Sequence, residues 1–377
     1  MKRTLALALV LLMLLVFAGC DAKSNDSSEK QDSISSVKAD AEVNRELKVK
    51  STIMSDEKIG DLYYEESKNV AVQDVRLDLG IGEEIVIGAL SDIHYNYCNK
   101  RDFSERDPVI MSTYKNRKWL QYGYSAGLAK NCMDLLDGTV DLMVFNGDTL
   151  DYLSHGAREI MQRDIWDRYP NAIATLGNHE AARQMQGEVP DIIPLEKRLD
   201  TVREFWKHDI DYTTRLIKGK LLVIGLNDAY NVVSEEVLQN FKNDIANARK
   251  AGQKILLFMH VPVATGNPEH TNIDVGHPAV LNENNTSDLP LNFCDGVNDK
   301  GLVLLGNPRT DDTSKEFCKV LTNNADVVKG VFTGHLHNAM YLEILAKNPD
   351  GSSAIIPQYV MSTTASGSGY MMRIFVK

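Results

Sequence analysis

One apolar run that ends abruptly in a glycine and a carboxylate constrains this chain more than any other stretch. Residues 142–145, Leu-Met-Val-Phe, lead directly into Asn-Gly-Asp, which places Asp148 just beyond the run. A short, continuous apolar run bounded by turn residues is typical of a strand buried on both faces of a sheet. The pattern therefore predicts a buried parallel strand that delivers the carboxylate of Asp148 to the open edge of the sheet.

Four further apolar runs end in a similar way, at residues 85–90, 172–176, 254–259 and 327–333. The polar residues that follow them are of types that bind metal ions or support such sites: Asp92, His94, Asn178, His179, Glu180, His260, His335 and His337. Helical spacing is visible at residues 125–136, 158–169, 195–208, 234–252 and 313–323. This alternation of strands and helices predicts an α/β sandwich. Residues 70–79 predict one more strand, in a hairpin with the strand at 85–90.

Spacing within these motifs indicates how the side chains converge. His335 and His337 lie two positions apart, as do Asp92 and His94. On extended backbone the two members of each pair would point to the same face. Glycines precede three of the candidate ligands, at positions 147, 177 and 334. Glycine lets the chain leave a strand sharply and lets neighbouring groups approach closely.

The mixture of residue types indicates which metals would bind. Carboxylate and carbonyl oxygens suit hard divalent cations, whereas imidazole suits iron, zinc and manganese. A set of Asp, Asn and His side chains therefore predicts transition metals. Two such ions would need a ligand that they share.

Taken together and in this order, the motifs resemble those of the calcineurin-like metallophosphoesterase family. They are Asp-x-His at 92–94, Gly-Asp-x-x-Asp at 147–151, Gly-Asn-His-Glu at 177–180, His260, and Gly-His-x-His at 334–337. The resemblance, to a bacterial lipoprotein member of this family, implies a four-layer α/β/β/α sandwich of two mixed β-sheets flanked by helices. It also implies that metal ions bind at the strand ends.

The resemblance further implies a dinuclear centre that holds two divalent metal ions, Mn, Fe or Zn. It assigns Asp148 as the ligand that bridges the two ions. The other ligands would be Asp92, His94 and His337 for one ion and Asn178, His260 and His335 for the other. All seven ligands are then present in the chain.

The resemblance also implies an activity. The protein would be a hydrolase that cleaves a phosphomonoester or phosphodiester by attack of a metal-bridging hydroxide. His179 would be the general acid, or would stabilise charge near the leaving oxygen. Asp151 and Glu180 would be carboxylates that hold the imidazole rings in orientation. Many relatives carry Asp after Gly-Asn-His, where this chain has Glu180.

The N-terminus predicts export and lipid anchoring. Lys2 and Arg3 precede an apolar run from residue 5 to residue 17, and Ala-Gly-Cys then ends at Cys20. This order is typical of a lipoprotein signal peptide, residues 1–19, with Cys20 lipidated after cleavage. The alternative, a membrane-spanning anchor, needs about 20 apolar residues, which is more than this run provides. We therefore expect the protein at the extracytoplasmic face of a bacterial membrane, held there through Cys20.

Composition divides the rest of the chain. Residues 20–50 are rich in Ser, Lys, Asp and Glu, which predicts a flexible tether. The phosphoesterase domain is expected at 51–377. Insertions at about 95–124 and 264–312 are long enough to form lids or substrate walls. Aromatic residues of the first insertion could stack on a base or glycan or pack in the core. His270 and His277 of the second could touch substrate or lie at the surface.

Charge limits the choice of partners. Cleavage after residue 19 removes Lys2 and Arg3, which leaves 39 basic and 52 acidic side chains and a net charge of −13. Affinity for nucleic acids depends largely on Lys and Arg that neutralise phosphates. No nucleic-acid partner is therefore expected. The expected partners are a phosphorylated small molecule or other phosphoester and, through Cys20, the membrane; the sequence does not indicate an oligomeric state.

Four cysteines remain after Cys20, and they leave two alternatives open. They are Cys98, Cys132, Cys294 and Cys318. Outside the cytoplasm cysteines can form disulfides, and the separations favour Cys98 with Cys132 and Cys294 with Cys318 among the three pairings that four cysteines permit. The alternative is free, buried thiols. A cysteine-based zinc site has no support, since none of the four lies in a C-x-x-C spacing.

Two other functions fit part of the sequence. A solute-binding lipoprotein would also carry a signal peptide, a tether and an α/β domain, but it would have no use for Asp148 or for Gly-His-x-His at 334–337. A catalytically silent relative would have an adhesive or structural role. Such relatives commonly lose metal ligands, whereas this chain retains all seven.

Overall fold

The computed structural model describes residues 60–117, 124–263, 271–272, 310–365 and 367–377. Several expectations lie outside these ranges: the signal peptide at 1–19, the lipidated Cys20, the tether to residue 50, and most of the insertion at 264–312 with His270, His277 and Cys294. These expectations remain predictions.

The first of two sheets carries the strand that ends at Asn146. Its strands, in spatial order, are β1 (Asp61–Glu65), β2 (Val70–Leu77), β13 (Gly369–Val376), β3 (Ile85–Leu90), β4 (Leu142–Asn146) and β5 (Ile173–Thr175). Strands β3, β4 and β5 are parallel to one another, whereas β13 is antiparallel to β3. The sheet is therefore mixed, and the carboxyl ends of three consecutive strands meet at one edge.

The second sheet is also mixed. Its described strands, in spatial order, are β6 (Tyr212–Ile217), β7 (Leu221–Leu226), β8 (Lys254–Phe258), β10 (Val328–Thr333), β12 (Ser353–Val360), β11 (Met340–Lys347) and β9 (Thr271–Asn272). Strands β7, β8, β10 and β12 run parallel. The residues that follow β8 and β10, which include the candidate histidines, therefore emerge at the same edge.

Helices cover the outer faces of both sheets. Those in the described ranges are α1 (Lys100–Glu105), α2 (Pro108–Asn116), α3 (Tyr124–Leu136), α4 (His155–Met161), α5 (Leu195–Phe205), α6 (Glu235–Ala251) and α7 (Asp312–Thr322). Helix α6 matches its predicted range, because the Ser234 side chain caps its first turn and Gly252 ends it with a left-handed φ of 68°. Helix α4 begins before the predicted residue 158 and continues as a π-helical segment, Gln162–Trp166. No helix in the described part of the chain has the length and apolar character needed to cross a bilayer.

Three apolar clusters show the order of the layers. Between the sheets, Val144 of β4 packs in the same cluster as Phe258 of β8. The next residue of β4, Phe145, faces the opposite way and packs in a cluster with α3. On the far face of the second sheet, Phe241 of α6 packs with residues of β8. The predicted four-layer α/β/β/α sandwich is confirmed, and β4 is buried on both faces as its continuous apolar run predicted.

The predicted hairpin between residues 70–79 and 85–90 is wrong. Strand β13 lies between β2 and β3, parallel to the former and antiparallel to the latter. The hairpin was predicted from the glycines at positions 80 and 82, but turn residues report only local geometry. The C-terminal strand, almost 300 positions away, takes the place between the two strands.

The first insertion contains regular structure. Helices α1 and α2 begin with side-chain caps from Asn99 and Asp107. Tyr95 is fully buried, and the Tyr114 ring packs edge-on against Phe103 with centroids 5.4 Å apart. Core packing therefore accounts for Tyr95, whereas Tyr114 is only partly buried, against the cluster that contains Cys98 and Tyr152.

The structure distinguishes disulfides from free thiols at the three described cysteines. Cys98, Cys132 and Cys318 are buried free thiols. The Cys98 Sγ lies 3.4 Å from the Tyr152 hydroxyl, whereas the Cys132 thiol donates to the Tyr370 carbonyl over 3.6 Å. The predicted Cys98–Cys132 disulfide is therefore wrong, because the two thiols pack in different clusters. The bridge from Cys318 is not formed either, and its predicted partner Cys294 lies outside the described residues.

Candidate metal centre

The loops that follow β3 and β4 run side by side at the edge of the first sheet. The N–H of Asp92 donates to the Gly147 carbonyl over 3.0 Å, and the N–H of His94 donates to the Asp148 carbonyl over 2.8 Å. These bonds continue the parallel pairing of the two strands. Backbone hydrogen bonds therefore hold the first three candidate ligands in register with one another.

Asp148 lies at the centre of the site. Its Oδ2 is 3.3 Å from Nε2 of His260, which follows β8 in the second sheet. The same oxygen is 3.9 Å from Nε2 of both His94 and His179. Asp148 is almost completely buried. One carboxylate thus contacts imidazoles that come from both sheets.

Six of the seven predicted ligands form two overlapping groups. In each group the candidate ligand atoms lie within 4.8 Å of one another: Asp92, His94, Asp148 and His337 in one, and Asp148, His260 and His335 in the other. In the first group, Nε2 of His337 lies 3.2 Å from both Oδ1 of Asp92 and Nε2 of His94. Asp148 belongs to both groups.

Asn178 is the seventh predicted ligand, and it lies just beyond the end of β5. Its side-chain oxygen Oδ1 is buried and accepts no hydrogen bond from any described residue. A buried amide oxygen without a donor is costly, and native proteins rarely leave one so. A cation at this position would satisfy it. The residues present therefore fit the two divalent ions that the resemblance implies.

Five of the candidate ligands have an unusual backbone conformation. Positive φ angles occur at Asp92 (52°), His94 (50°), Asp148 (49°), His335 (66°) and His337 (58°). Left-handed backbone is uncommon for residues other than glycine, and it is concentrated at functional sites. The prediction that these pairs lie on extended backbone is therefore wrong. Both members of each pair are left-handed, and their side chains nevertheless lie in the two groups around Asp148.

The glycines that precede three ligands are needed for close approach, as predicted. A Cβ atom on Gly147 would lie 2.2 Å from Nδ1 of His260, and one on Gly177 would lie 2.1 Å from Oδ1 of Asp148. At Gly334 the nearest atom would be only 2.0 Å away. Any side chain at these positions would displace the site itself.

Burial and charge shift several pKa values in the cluster. Burial disfavours the ionised form of Asp92, but His337 and His260 outweigh it and lower the pKa of Asp92 to about 2. Burial also disfavours protonated His260, but Asp148 reverses the effect and raises the pKa of His260 to about 10. For His335 burial dominates, and with the charge of His260 it lowers the pKa to about 4. The site thus concentrates ionised carboxylates, which a divalent cation would stabilise.

His179 projects from the loop after β5 toward the same carboxylate. Its backbone N–H donates to Oδ1 of Asp148 over 2.9 Å, and its ring Nδ1 lies 2.8 Å from the Asp151 carbonyl oxygen. The Asp151 carboxylate lies 3.5 Å from the same Nδ1 and 3.2 Å from Nδ1 of His94. Asp151 is therefore placed behind two imidazole rings, where the resemblance expects it.

Glu180 has a different position from the one expected. Its two oxygens accept hydrogen bonds from the backbone N–H groups of Asp148 (3.2 Å), Thr149 (2.5 Å), Leu150 (3.3 Å) and Gly177 (2.6 Å). The described contacts of Glu180 are with the loop backbone rather than with an imidazole ring. A carboxylate satisfies these amides because the loop turns sharply after β4 and leaves several N–H groups pointing inward. Glu180 thus supports the loop that carries Asp148.

Two buried polar residues near the site were not identified from the sequence. Asn146 donates from Nδ2 to the Met259 carbonyl over 2.9 Å and so links the ends of β4 and β8 across the two sheets. Asp228 accepts from the N–H of His260 over 2.8 Å and from the N–H of Val261 over 3.0 Å. The signal for Asp228 was present, since it follows the apolar run of β7 just as the ligands follow theirs.

The fold and the site together define an α/β sandwich protein with a candidate metal centre at its strand ends. The sequence matches the calcineurin-like phosphoesterase family over residues 85–339, which is more than half of the chain and includes all seven candidate ligands. The chain therefore belongs to this family and is a hydrolase of phosphoric esters, as predicted. A solute-binding lipoprotein does not account for this match. The comparison with curated proteins gave no match.

Matches among solved structures come from several organisms. They include a dimetal phosphatase from Danio rerio (13% identity, 74% of this chain and 87% of that chain covered, TM-score 0.36). They also include the purple acid phosphatase PPD1 from yellow lupin (11% identity, 78% and 44% covered, TM-score 0.35) and the calcineurin-like phosphoesterase YfkN from Bacillus subtilis (12% identity, 74% and 81% covered, TM-score 0.33). These similarities are too distant to assign a substrate.

Proposed function

We propose that the protein hydrolyses a phosphomonoester or phosphodiester with two divalent metal ions, Mn, Fe or Zn, bound around Asp148. The observation that carries the proposal is the position of Asp148, whose carboxylate belongs to both groups of candidate ligands. A dinuclear centre needs such a shared ligand. The buried oxygen of Asn178, which lacks a donor, supports the same assignment.

The candidate ligands divide between the two ions. Asp92, His94 and His337 would hold one ion, and Asn178, His260 and His335 the other, with Asp148 between them. When bound, two such ions neutralise charge on phosphoryl oxygens and activate a water molecule at neutral pH. The chain contributes candidate ligands whose positions are supported by backbone hydrogen bonds and left-handed backbone.

His179 would donate a proton to the leaving oxygen. Its Nδ1 is directed to the Asp151 carbonyl, so Nε2 faces the side of the site where Asp148 lies. Burial disfavours the charged ring, but Asp148 and Asp151 outweigh it and raise the pKa of His179 to about 9. The two carboxylates therefore favour the protonated ring, which is the form that a general acid needs.

Anchoring at the extracytoplasmic face of a bacterial membrane is part of the proposal. Its support is the order of residues 1–20, in which basic residues, an apolar run and Ala-Gly-Cys follow one another. Mass spectrometry of the membrane fraction should find a diacylated N-terminal Cys20. An intact Met1 or an unmodified Cys20 would contradict the anchoring.

The activity is tested with the purified, detergent-extracted protein and chromogenic aryl phosphate mono- and diesters in the presence of Mn²⁺. We expect hydrolysis of at least one substrate class, loss of hydrolysis after chelation, and recovery when Mn²⁺ is restored. His260→Ala should remove activity, because it deletes a buried ligand that contacts Asp148. Full activity after stringent chelation, or in His260→Ala, would refute the proposal.

A further inference from the structure

Arg117 belongs to the first insertion, yet its side chain reaches the base of the metal centre. It is the C-cap residue of α2, and its Nε donates to Oδ2 of Asp151 over 2.9 Å while a terminal nitrogen donates to Oδ1. Asp151 is fully buried and Arg117 nearly so. Two parallel hydrogen bonds from a planar guanidinium fix the plane of a carboxylate, which a single point charge does not.

The carboxylate of Asp151, which Arg117 binds, lies behind the imidazole rings of His94 and His179. Oδ1 of Asp151 lies 3.2 Å from Nδ1 of His94 and 3.5 Å from Nδ1 of His179. The opposite nitrogen of each ring, Nε2, lies 3.9 Å from Asp148. The direction in which Asp151 points therefore influences how both rings face Asp148.

Asn96 completes the support from the same insertion. Its Nδ2 donates to Oδ2 of Asp151 over 2.5 Å and to the Arg117 carbonyl over 3.4 Å. Asn96 and Arg117, from the two ends of residues 95–117, thus both donate hydrogen bonds to the buried carboxylate of Asp151. This arrangement places part of the insertion behind the catalytic rings, and not only over the substrate as the sequence suggested.

We propose that Arg117 is a positioning residue of this enzyme: it orients Asp151, and through Asp151 the rings of His94 and His179, without contacting substrate. The inference rests on the proposed function and deepens it. Loss of the guanidinium would leave a buried carboxylate without its cation, which is strongly unfavourable. Asp151 would then turn toward other donors, and the two rings would lose their fixed orientation.

The test uses Arg117→Gln, which removes the charge, and Arg117→Lys, which keeps the charge but not the planar fork. We expect kcat and metal affinity, measured by chelator competition, to fall by roughly 10- to 100-fold in Arg117→Gln, as is typical when a group behind a metal-ligating histidine is removed. In Arg117→Lys, kcat and metal affinity should lie between those of Arg117→Gln and those of the wild type. KM should stay within about twofold, because the buried side chain does not meet substrate.

Arg373→Gln provides a matched control. Arg373 makes the same bidentate pair with Asp74, at 2.8 Å and 2.7 Å, between β13 and β2. Arg373→Gln breaks a bidentate ion pair that contacts no candidate ligand and whose arginine is more exposed than Arg117 (25% against 7% of the side chain). We expect a lower unfolding midpoint in urea with kcat, KM and metal affinity like those of the wild type.

Histidine ring signals in NMR spectra, recorded without added metal, give a readout that does not depend on activity. The signals of His94 and His179 should shift in both Arg117 variants and not in Arg373→Gln. Unchanged ring signals with wild-type kcat and metal affinity, or a change confined to KM, would overturn the inference. If Arg117→Gln does not fold, Arg117→Lys alone decides. An inactive, metal-free wild type would refute the proposed function, whereas the ring signals would still test the role of Arg117.

Discussion

The two sheets contribute to the metal centre in different ways. Candidate ligands that follow strands of the first sheet, Asp92 and Asp148, are almost completely buried, whereas the second sheet supplies both the fully buried His260 and His337, which exposes 44% of its side chain. His335 is only partly buried. The first-sheet ligands lie in a network of backbone amides and carboxylates that includes Glu180. We call the candidate ligands that follow strands of the first sheet the first half-site and those that follow strands of the second sheet the second half-site, whose histidines range from fully buried to exposed.

The contacts between the halves follow the same pattern. The N–H of His335 donates to the Asp92 carboxylate at 3.1 Å, so the second half docks onto a ligand of the first. A defect in the first half should therefore remove both metal ions. A defect in the exposed part of the second half should weaken the site without abolishing it.

Asp148→Asn should have the largest effect, because it removes the charge of the one side chain that both groups share. We expect loss of both metal ions and a fall in activity beyond the roughly 10- to 100-fold typical of residues that only support a ligand. Elemental analysis after desalting and initial rates on an aryl phosphate measure the two effects. Retention of two ions per chain would contradict the role of Asp148.

Gly177→Ala should come next, since the new Cβ would lie 2.1 Å from Oδ1 of Asp148. We expect the first half-site to be displaced and metal binding to be weakened in a protein that still folds. Gly127→Ala in α3 is the matched control, because no atom lies within 4 Å of the added methyl group. It should raise the unfolding free energy by about 0.5–1 kcal/mol and leave metal content unchanged. Equal metal content in Gly177→Ala and Gly127→Ala would contradict the requirement for glycine at position 177.

His337→Ala should cost less than His94→Ala, although both residues belong to the same group. Water can take the place of the exposed His337 ring, whereas a cavity at the buried His94 would leave Asp151 without one of its partners. We expect a loss of roughly 10- to 100-fold in activity for His337→Ala and a larger one for His94→Ala. Equal losses of activity in His337→Ala and His94→Ala, measured at saturating Mn²⁺, would show that the exposed ring matters as much as the buried one.

Glu180→Gln should have the smallest effect on activity and a clear effect on stability. The amide nitrogen of Gln cannot accept from the loop N–H groups, and a buried donor left unsatisfied costs about 1–3 kcal/mol. We expect a decrease of this size in the unfolding free energy from urea titration. Glu83→Gln, at an exposed carboxylate, is the control and should change it by less than about 0.5 kcal/mol. Identical unfolding curves for the two variants would contradict the support assigned to Glu180.

The sequence indicated the order of the candidate ligands because the signals are local. Each apolar run forms a strand, and the residue types after it, such as Asp148 and His260, follow from chain position alone. The glycine at position 177 predicted close approach for the same reason. Family membership and the layered fold then followed from the combination of these motifs.

What the sequence did not predict depends on contacts between distant segments. Strand β13 enters the first sheet between β2 and β3, which no turn signal near residue 80 indicates. Arg117 meets Asp151 from 34 positions away. The left-handed backbone at Asp92 and His94 also has no local sequence signal, and both residues pair with the loop after β4 through backbone hydrogen bonds.

Anomalous diffraction from crystals grown with Mn²⁺ tests the central claim most directly. Two peaks should flank the Asp148 carboxylate, one beside His94 and His337 and the other beside His260 and His335. A single peak remote from Asp148, or no peak at this edge of the sheets, would contradict the dinuclear centre.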